Sequence, residues 1–252
     1  MFTLFTTIFY QPILNLVLVI YNWLPGHDIG WTIIILTVII KLILYPLSKK
    51  SIESQKSLQN LQPKLEAIKA KHKDDKEALS RAMMELYKQE KVNPLSSCLP
   101  LLIQLPFFWA IFRVFRDDLL GKALVLAYPF IHNPGILNPI AFGFLDFSKP
   151  NIYLGILAGL SQFAQAKMMP VAKPAVKSDG AKDENMMAAM NKQMLYLMPI
   201  LTIVICYKLP SGLAFYWFIS TLLTIAQQWW IFRQHKDPNS TPPTIIEGEI
   251  IK

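Results

Sequence analysis

The stretch GWTIIILTVIIKLILYPLS, residues 30–48, decides the fold, because it is long and apolar enough to cross a bilayer. Its single charge is Lys41, which stands among isoleucines and leucines. A cation inside a spanning helix costs at least ~2.5–3.5 kcal/mol. Two arrangements of the lysine side chain would offset that cost. Either the ammonium snorkels to the cytoplasmic headgroups, roughly 10 Å away, or it faces a wet cavity within the membrane that is the working site.

The composition places the whole chain among polytopic membrane proteins. It has 252 residues, is 53% hydrophobic, carries a net charge of +8 and has a mean hydropathy of +0.33. Several windows of about 20 residues hold few or no charges, which is the length that a bilayer core requires. We expect no cleavable signal peptide, because no basic segment precedes a short apolar run with a small-residue cleavage site. The basic excess favours contact with anionic lipid headgroups or with a polyanion such as ribosomal RNA.

The alternation of apolar and polar segments predicts an all-α polytopic membrane protein with five transmembrane helices, an N-terminal interfacial amphipathic helix and a cytoplasmic helical hairpin. The predicted spans are residues 29–48, 94–115, 151–169, 191–208 and 209–232. Between them we expect an outside N-terminal helix (1–28), the cytoplasmic hairpin (49–93), an outside interfacial segment of turns and short helices (116–150), a cytoplasmic loop (170–190) and a cytoplasmic tail (233–252).

The N-terminal segment is predicted to lie flat in the membrane interface. Its polar residues follow one another at intervals of four, four and seven, which places them on one stripe of a helix: Thr7, Gln11, Asn15 and Asn22. The other faces carry Phe, Ile, Leu and Val, so such a helix can rest with its apolar side in the lipid. A spanning helix is the competing interpretation, because the segment is about 20 residues long.

The distribution of lysine and arginine gives the orientation. The loops 49–93, 170–190 and 233–252 hold 17 of these residues, whereas the opposite loops, 1–29, 116–150 and 208–211, hold 4. The positive-inside rule therefore predicts an outside N-terminus, and a hairpin and C-terminus in the cytoplasm. An odd number of spans is required for this arrangement, and five spans satisfy it.

The hairpin is predicted from two runs of apolar side chains at helical spacing, Leu58, Leu61, Leu65, Ile68 and then Leu79, Met83, Leu86. Residues 49–93 also hold eleven lysines and arginines and seven acids. The hairpin is either a solvated structural loop or a surface for a partner. The length of its patterned helices exceeds what a linker needs, which favours a role beyond a linker. The candidate surface comprises Met83, Met84 and Tyr87, because methionine-rich helices accommodate varied apolar ligands.

Motifs for enzymatic chemistry are absent from the sequence. There is no GxxxxGK[ST] loop for phosphates and no HExxH metal motif. Cys98 and Cys206 fall in or beside apolar segments, where we expect small buried residues and not a disulfide or metal pair. The predicted spans contain no Asp or Glu, which argues against an ion-coupled transporter. The hydrogen-bonding groups that the membrane region offers are Lys41, Gln104, Gln162, Gln165, Thr221, Gln227 and Gln228, together with small hydroxyls. For each glutamine, helix–helix hydrogen bonding is the alternative role.

Six short motifs occur in order along the chain. They are LQPKL (61–65), MELYK (84–88), VNPL (92–95), CLPLLIQLP (98–106), DFSKP (146–150), and PSG (210–212) followed by Tyr216-Trp217. In these residues the sequence resembles the YidC/Oxa1/Alb3 membrane protein insertases, in their short bacterial form. The resemblance covers nearly the whole chain, and the predicted spans, interfacial helix and hairpin agree with the architecture of that family.

The resemblance implies a hydrophilic groove in the inner leaflet that is open to cytoplasm and lipid and closed toward the outside. The family usually places an arginine in this groove, and Lys41 stands at the matching position. Lysine keeps the charge but lacks the fork of donors that arginine offers. Thr221 stands where the family usually has asparagine, and it keeps a hydrogen-bonding group. The short form lacks the large outside domain of some members and the long basic tail of others.

The resulting hypothesis is an insertase without enzymatic activity, cofactor or metal, in the bacterial cytoplasmic membrane. Its expected partners are nascent membrane proteins and the bilayer, with the ribosome and the Sec translocon as further candidates, and not DNA. Lys41 is the groove cation, and the candidate groove or client contacts are Gln104, Gln162, Gln165, Trp217, Thr221 and Gln227. The alternatives are a small-solute channel or transporter and a structural assembly factor for one complex.

Overall fold

The computed structural model describes residues 2–72, 75–93, 99–118, 126–168 and 193–234, and this part of the chain is mostly helical, as predicted. Helix α1, Gln11–Trp23, follows Phe2–Phe5 and a π-helical turn at Thr6–Tyr10 without a break. The next helices are α2 Ile29–Ile43, α3 Tyr45–Asn60, α4 Gln62–Lys71 and α5 Lys76–Gln89. The last are α6 Leu99–Arg113, extended by a π-helical turn at Val114–Asp118; α7 Ile152–Met168; α8 Met198–Cys206, preceded by a π-helical turn at Gln193–Leu197; and α9 Ser211–Gln234.

Several predicted segments fall outside the described residues. These are the cytoplasmic loop 170–190, nearly all of the tail 233–252, and the start of the second predicted span with Cys98. Cys206 is described, and it is fully buried, as predicted for a small apolar residue.

Within the described residues, no single helix combines the length and the apolar composition of a membrane span. Helices α2 and α3 reach both only as a pair, over Ile29–Ile43 and Tyr45–Leu58, and they are bent by 69° at their junction. The stretch predicted as one span, 29–48, is therefore divided at Leu44 into two helices.

A short antiparallel strand pair lies between α6 and α7 and corrects the prediction of only turns and short helices there. Strand β1, Ile140–Ala141, pairs with β2, Leu145–Asp146, so that Ile140 faces Asp146. Phe142 and Gly143 both have positive φ angles, of 56° and 80°, and this is the backbone that tight hairpin turns require. An isolated strand pair is marginal in water, so its packing against the helices stabilises it.

The polar stripe of the N-terminal helix bonds to protein backbone. Asn15 is buried; its side-chain amide donates to the carbonyls of Gln11 and Leu126, and its Oδ1 accepts from the Tyr128 N–H at 2.7 Å. Gln11 also donates to the Leu126 carbonyl, and Asn22 donates to that of His132. The stripe that predicted an interfacial helix therefore attaches α1 to the segment around Leu126, Tyr128 and His132, because all of these bonds except the one to Gln11 satisfy backbone groups of that segment.

Helix α2 begins at a clamp formed by Asp28. One carboxylate oxygen accepts from the backbone N–H groups of Gly30 and Trp31 at 2.7 and 3.2 Å, which is an N-cap. The other oxygen accepts from the Phe142 N–H at 2.5 Å and so ties the strand pair to α2. Gly30 leaves space for the Phe142 ring, because a Cβ at residue 30 would lie 2.5 Å from the ring Cζ.

Helix α9 begins against the DFSKP segment, so two of the six motifs meet in space. The Ser211 and Gly212 N–H groups donate to the carbonyls of Lys149 and Phe147, and the Ser211 hydroxyl donates to that of Asp146. These bonds satisfy N–H groups that the first turn of a helix leaves unpaired. The Phe147 ring is fully buried among three other rings, those of Phe115, Phe142 and Phe215.

Helices α7 and α8 pack closely over two glycines. A Cβ at Gly159 would lie 2.5 Å from Ile203 Cγ1 and 2.9 Å from the Pro199 carbonyl oxygen. A Cβ at Gly155 would lie 3.0 Å from the Cys206 Cβ. The two glycines are four residues apart, which is the small-residue spacing that lets helix backbones approach in membranes.

Candidate functional site

Helices α2 and α9 present the candidate site at the end opposite to the Asp28 clamp. Both begin at the buried aromatic rings around Phe147, and they pack against each other. Lys41 follows Gly30 by eleven residues and Thr224 follows Gly212 by twelve. At the helical rise these separations are about 16 and 18 Å. The two side chains therefore reach the same level of the structure.

The ammonium of Lys41 is held by a hydroxyl on the facing helix. Lys41 Nζ donates to Thr224 Oγ1 at 2.8 Å, and Thr224 Oγ1 donates to the Ser220 carbonyl at 2.8 Å. In the part of the chain that the structure describes, no carboxylate lies within ion-pair distance of this ammonium. Within the described ranges, this half-buried cation is thus compensated by a neutral dipole and not by a counter-charge.

Two glutamines continue the polar face of α9 beyond Thr224. Gln228 is 2% exposed, and its Oε1 has no hydrogen-bond partner among the described residues. Nε2 of Gln227, the one predicted contact on this turn, also has no hydrogen-bond partner among the described residues. Buried amides normally find partners, so unpaired ones mark a place where water or a ligand group is expected. We call Lys41, Ser220, Thr224, Gln227 and Gln228 the α2–α9 polar cluster.

Two other predicted groove contacts, Gln104 and Gln162, make hydrogen bonds inside the protein. Gln104 Nε2 donates to the buried Tyr216 hydroxyl, joining α6 to α9, and Gln162 Oε1 accepts from Thr202 at 2.6 Å, joining α7 to α8. Gln165 is half-buried on the next turn of α7. These bonds are of the kind that the helix-packing alternative predicts.

Trp217 and Thr221, the remaining predicted contacts, lie on the first half of α9. The Trp217 ring meets the Phe108 ring edge to face, with centroids 5.1 Å apart. Thr221 is buried, and its hydroxyl donates to the Trp217 carbonyl at 2.8 Å. Among the described residues, the Lys41 ammonium bonds to Thr224 and not to either of these side chains.

The predicted partner surface on the hairpin is divided by packing. Met83 and Tyr87 lie half-buried against a small core of Leu61, Leu65 and Leu86, whereas Met84 is 52% exposed. Burial raises the pKa of the Tyr87 phenol. Lys64 and Glu90 form an ion pair between α4 and the end of α5 at 2.5 Å. Of the three predicted residues, only Met84 offers most of its side chain to a partner.

Sequence reasoning missed Thr224, the residue that contacts Lys41. A signal was present, because the polar residues Ser220, Thr221, Thr224, Gln227 and Gln228 recur at intervals of three and four. That spacing marks one polar face on an otherwise apolar helix. Threonines in apolar helices commonly serve helix–helix packing. The polar spacing alone therefore did not identify Thr224 as the residue that contacts Lys41.

The family match and the similar proteins agree on one family. Residues 19–238 match the family described as 60Kd inner membrane protein. "Membrane protein insertase YidC" of Ectopseudomonas mendocina is 36% identical over 89% of this chain and 34% of the relative. The protein of that name from Fusobacterium nucleatum is 38% identical over 82% of this chain and 87% of the relative. The one from Legionella pneumophila is 38% identical over 87% of this chain and 34% of the relative.

The extent of these matches differs between relatives. The chain spans about a third of the length of the Ectopseudomonas and Legionella proteins and most of the length of the Fusobacterium protein. In each case most of this chain takes part, and the matched family segment includes both α2 and α9. The chain therefore belongs to the 60Kd inner membrane protein family.

Proposed function

We propose that the protein is a membrane protein insertase and not an enzyme, and that Lys41 is its working group. The observation that carries this proposal is a cation between two apolar helices, bonded to a threonine hydroxyl, with no carboxylate of the described residues within ion-pair distance. The names of its relatives support the activity. A charge kept in such surroundings is costly, and a functional role accounts for its retention.

The mechanism follows from charge and burial. An apolar segment of a client enters from the cytoplasm, and the polar or acidic tail that it must move across rests near Lys41. The ammonium attracts the negative charge of that tail, and water around the α2–α9 polar cluster shortens the apolar distance to cross. The client then leaves sideways into lipid, driven by burial of its apolar surface at ~25 cal/mol per Å². The remaining candidate contacts hold the surrounding helices or contact the client. They are Gln104, Gln162, Gln165, Trp217, Thr221 and Gln227.

The same proposal places the chain in the bacterial cytoplasmic membrane with five spans, at the boundaries given above, and with its N-terminus outside. Large apolar side chains are exposed on the helices assigned to these spans, among them Leu42, Leu160, Val204 and Leu222. Exposed apolar surface of this extent marks contact with lipid or protein. The hairpin, with Met84 exposed, faces the cytoplasm as a surface for clients, the ribosome or the Sec translocon.

Replacing Lys41 tests the working group. Purified full-length protein in liposomes would be given a single-span client with a short acidic outside tail. We expect Lys41→Ala to lower insertion about tenfold or more, and Lys41→Arg to keep it, because the charge is retained. Insertion is measured as protease protection of the tail, at matched amounts of folded protein.

The matched control removes a lysine outside the cluster. Lys208 is exposed at the turn before α9, and Lys208→Ala should insert the client like the unchanged protein. If Lys41→Ala also inserts normally, the cation is not the working group. Passage of small solutes without insertion of any client would instead favour the channel alternative.

The outside segment offers a second prediction, on membrane depth. Residues 126–145 contain no charged side chain, and Phe130, Ile136 and Phe144 are 82%, 68% and 80% exposed. We expect these tips to enter the outer headgroup region. Phe144→Cys, labelled with a fluorophore after Cys98 and Cys206 are replaced by alanine, should be quenched by lipids spin-labelled at the headgroup.

Two labelled sites calibrate that depth. Leu222→Cys on α9 should be quenched best by lipids labelled deep in the acyl chains, and Lys88→Cys on the hairpin should be quenched by aqueous iodide. A Phe144 site that behaves like the Lys88 site would contradict the placement of residues 116–150 at the membrane interface.

A further inference from the structure

Thr224 has one contact that distinguishes it from the other threonines of the helices around the site. Its hydroxyl hydrogen points to the Ser220 carbonyl, and its oxygen accepts from Lys41 Nζ, each at 2.8 Å. Because the hydrogen is already engaged, the oxygen faces the ammonium with a lone pair. A chain of this kind, from ammonium to hydroxyl to carbonyl, polarises each bond and strengthens the next. Thr224 is therefore an oriented acceptor for the cation.

The Lys41 ammonium has an alternative position, at the cytoplasmic headgroups. Lys41 stands two residues before the end of α2, and the chain bends by 69° into α3, which carries Lys49 and Lys50 on its first turns. A lysine near a helix end normally extends its stem toward the headgroups. Here the side chain instead crosses to α9, toward the turn that precedes the buried Gln228. The contact with Thr224 competes directly with snorkelling.

We infer that Thr224 is a positioning residue, which holds the Lys41 ammonium inside the apolar layer where it meets acidic client tails and keeps it from the cytoplasmic headgroups. This inference rests on the proposed function for its consequence, but the position of the amine can be measured by itself. It predicts that loss of the hydroxyl moves the charge without removing it. The effect on insertion should then depend on the charge of the client tail.

The first measurement reads the position of the amine. Full-length protein in proteoliposomes is exposed, on the hairpin side, to a membrane-impermeant amine-acylating reagent, and modification of Lys41 is followed by mass spectrometry relative to Lys88. We expect the rate at Lys41 to rise about tenfold in Thr224→Val and Thr224→Ala, the size expected for losing a hydrogen bond to a charged group. Thr224→Ser keeps the hydroxyl and should keep the slow rate.

The control is a threonine that bonds only within its own helix. Thr32 is fully buried on α2, and its hydroxyl donates to the Asp28 carbonyl at 2.8 Å. Thr32→Val removes a buried hydroxyl from the same helix pair but leaves the Lys41 contact intact. It should label at the rate of the unchanged protein, which separates positioning from a general loosening of the helices.

The second measurement uses two clients that differ only in the tail. Thr224→Val and Thr224→Ala should insert the acidic-tail client about tenfold less well and the neutral-tail client normally, and Thr224→Ser should insert both normally. Unchanged labelling of Lys41 in both Thr224→Val and Thr224→Ala overturns the inference. If labelling rises but even Lys41→Ala inserts both clients normally, the positioning contact stands and the proposed function of Lys41 fails.

Discussion

Replacing Phe147 by alanine should lower the free energy of unfolding by about 3–5 kcal/mol, the usual cost of emptying a buried aromatic site. The Phe147 ring is fully buried, with ring centroids of Phe215 at 5.1 Å and Phe115 at 6.2 Å. These rings join the start of α9, the end of α6 and the strand pair. A cavity here loosens the end at which α2 and α9 are both anchored.

The measurement is thermal unfolding of the purified protein in detergent, followed by helical circular dichroism. Phe144→Ala is the matched control, because this phenylalanine lies three residues earlier and is 80% exposed. Its replacement should change the free energy of unfolding by no more than about 0.5 kcal/mol. Phe147→Leu, which keeps most of the volume, should fall between the two. Equal unfolding of Phe147→Ala and Phe144→Ala would contradict the buried aromatic anchor.

Placing a leucine at Gly159 should separate α7 from α8 and cost about 3 kcal/mol, at the upper end of what overpacking a filled site costs. The obstacle includes backbone, since a Cβ would lie 2.9 Å from the Pro199 carbonyl oxygen as well as 2.5 Å from Ile203 Cγ1. Rotation of the Ile203 side chain therefore cannot relieve it fully. We expect a lower unfolding temperature and loss of the hydrogen bond between Thr202 and Gln162.

A double-mutant cycle isolates this contact. Gly159→Ala should be partly rescued by Ile203→Ala, which removes the side-chain obstacle and leaves the carbonyl. Ala164→Leu, at an exposed position of the same helix, is the control for added bulk alone. If Gly159→Leu unfolds at the same temperature as Ala164→Leu, the close approach of α7 and α8 does not exist.

Much of the helical structure could be predicted because its causes are local. Apolar spacing predicted the two hairpin helices: α4 carries Leu65 and Ile68 of the first apolar run, and α5 carries the whole second run from Leu79 to Leu86. The strand pair was missed because its turn depends on tertiary support. Phe142 adopts a positive φ while its N–H bonds to Asp28, more than a hundred residues earlier. No local pattern contains that partner.

The site shows the same division between local and distant causes. A lone lysine among isoleucines is visible in the sequence, so Lys41 could be selected without a structure. The direction of the Lys41 side chain could not be predicted, because the same side chain can either snorkel to the headgroups or contact α9. The DFSKP and PSG motifs were visible separately, but their contact was not: the Ser211 hydroxyl bonds to the Asp146 carbonyl across 65 residues. Pairings of this length are set by the fold as a whole.

The attachment of α1 to the loop at Leu126 and Tyr128 has a consequence for timing. Asn15 bonds to groups 111 and 113 residues further along the chain. A ribosome adding ~5–20 residues per second needs roughly 5–20 s to supply them. Until then the Asn15 amide has only water or the Gln11 carbonyl as a partner. Helix α1 thus completes these contacts only after more than a hundred further residues have been added, so the assembly of the protein includes a waiting period for α1.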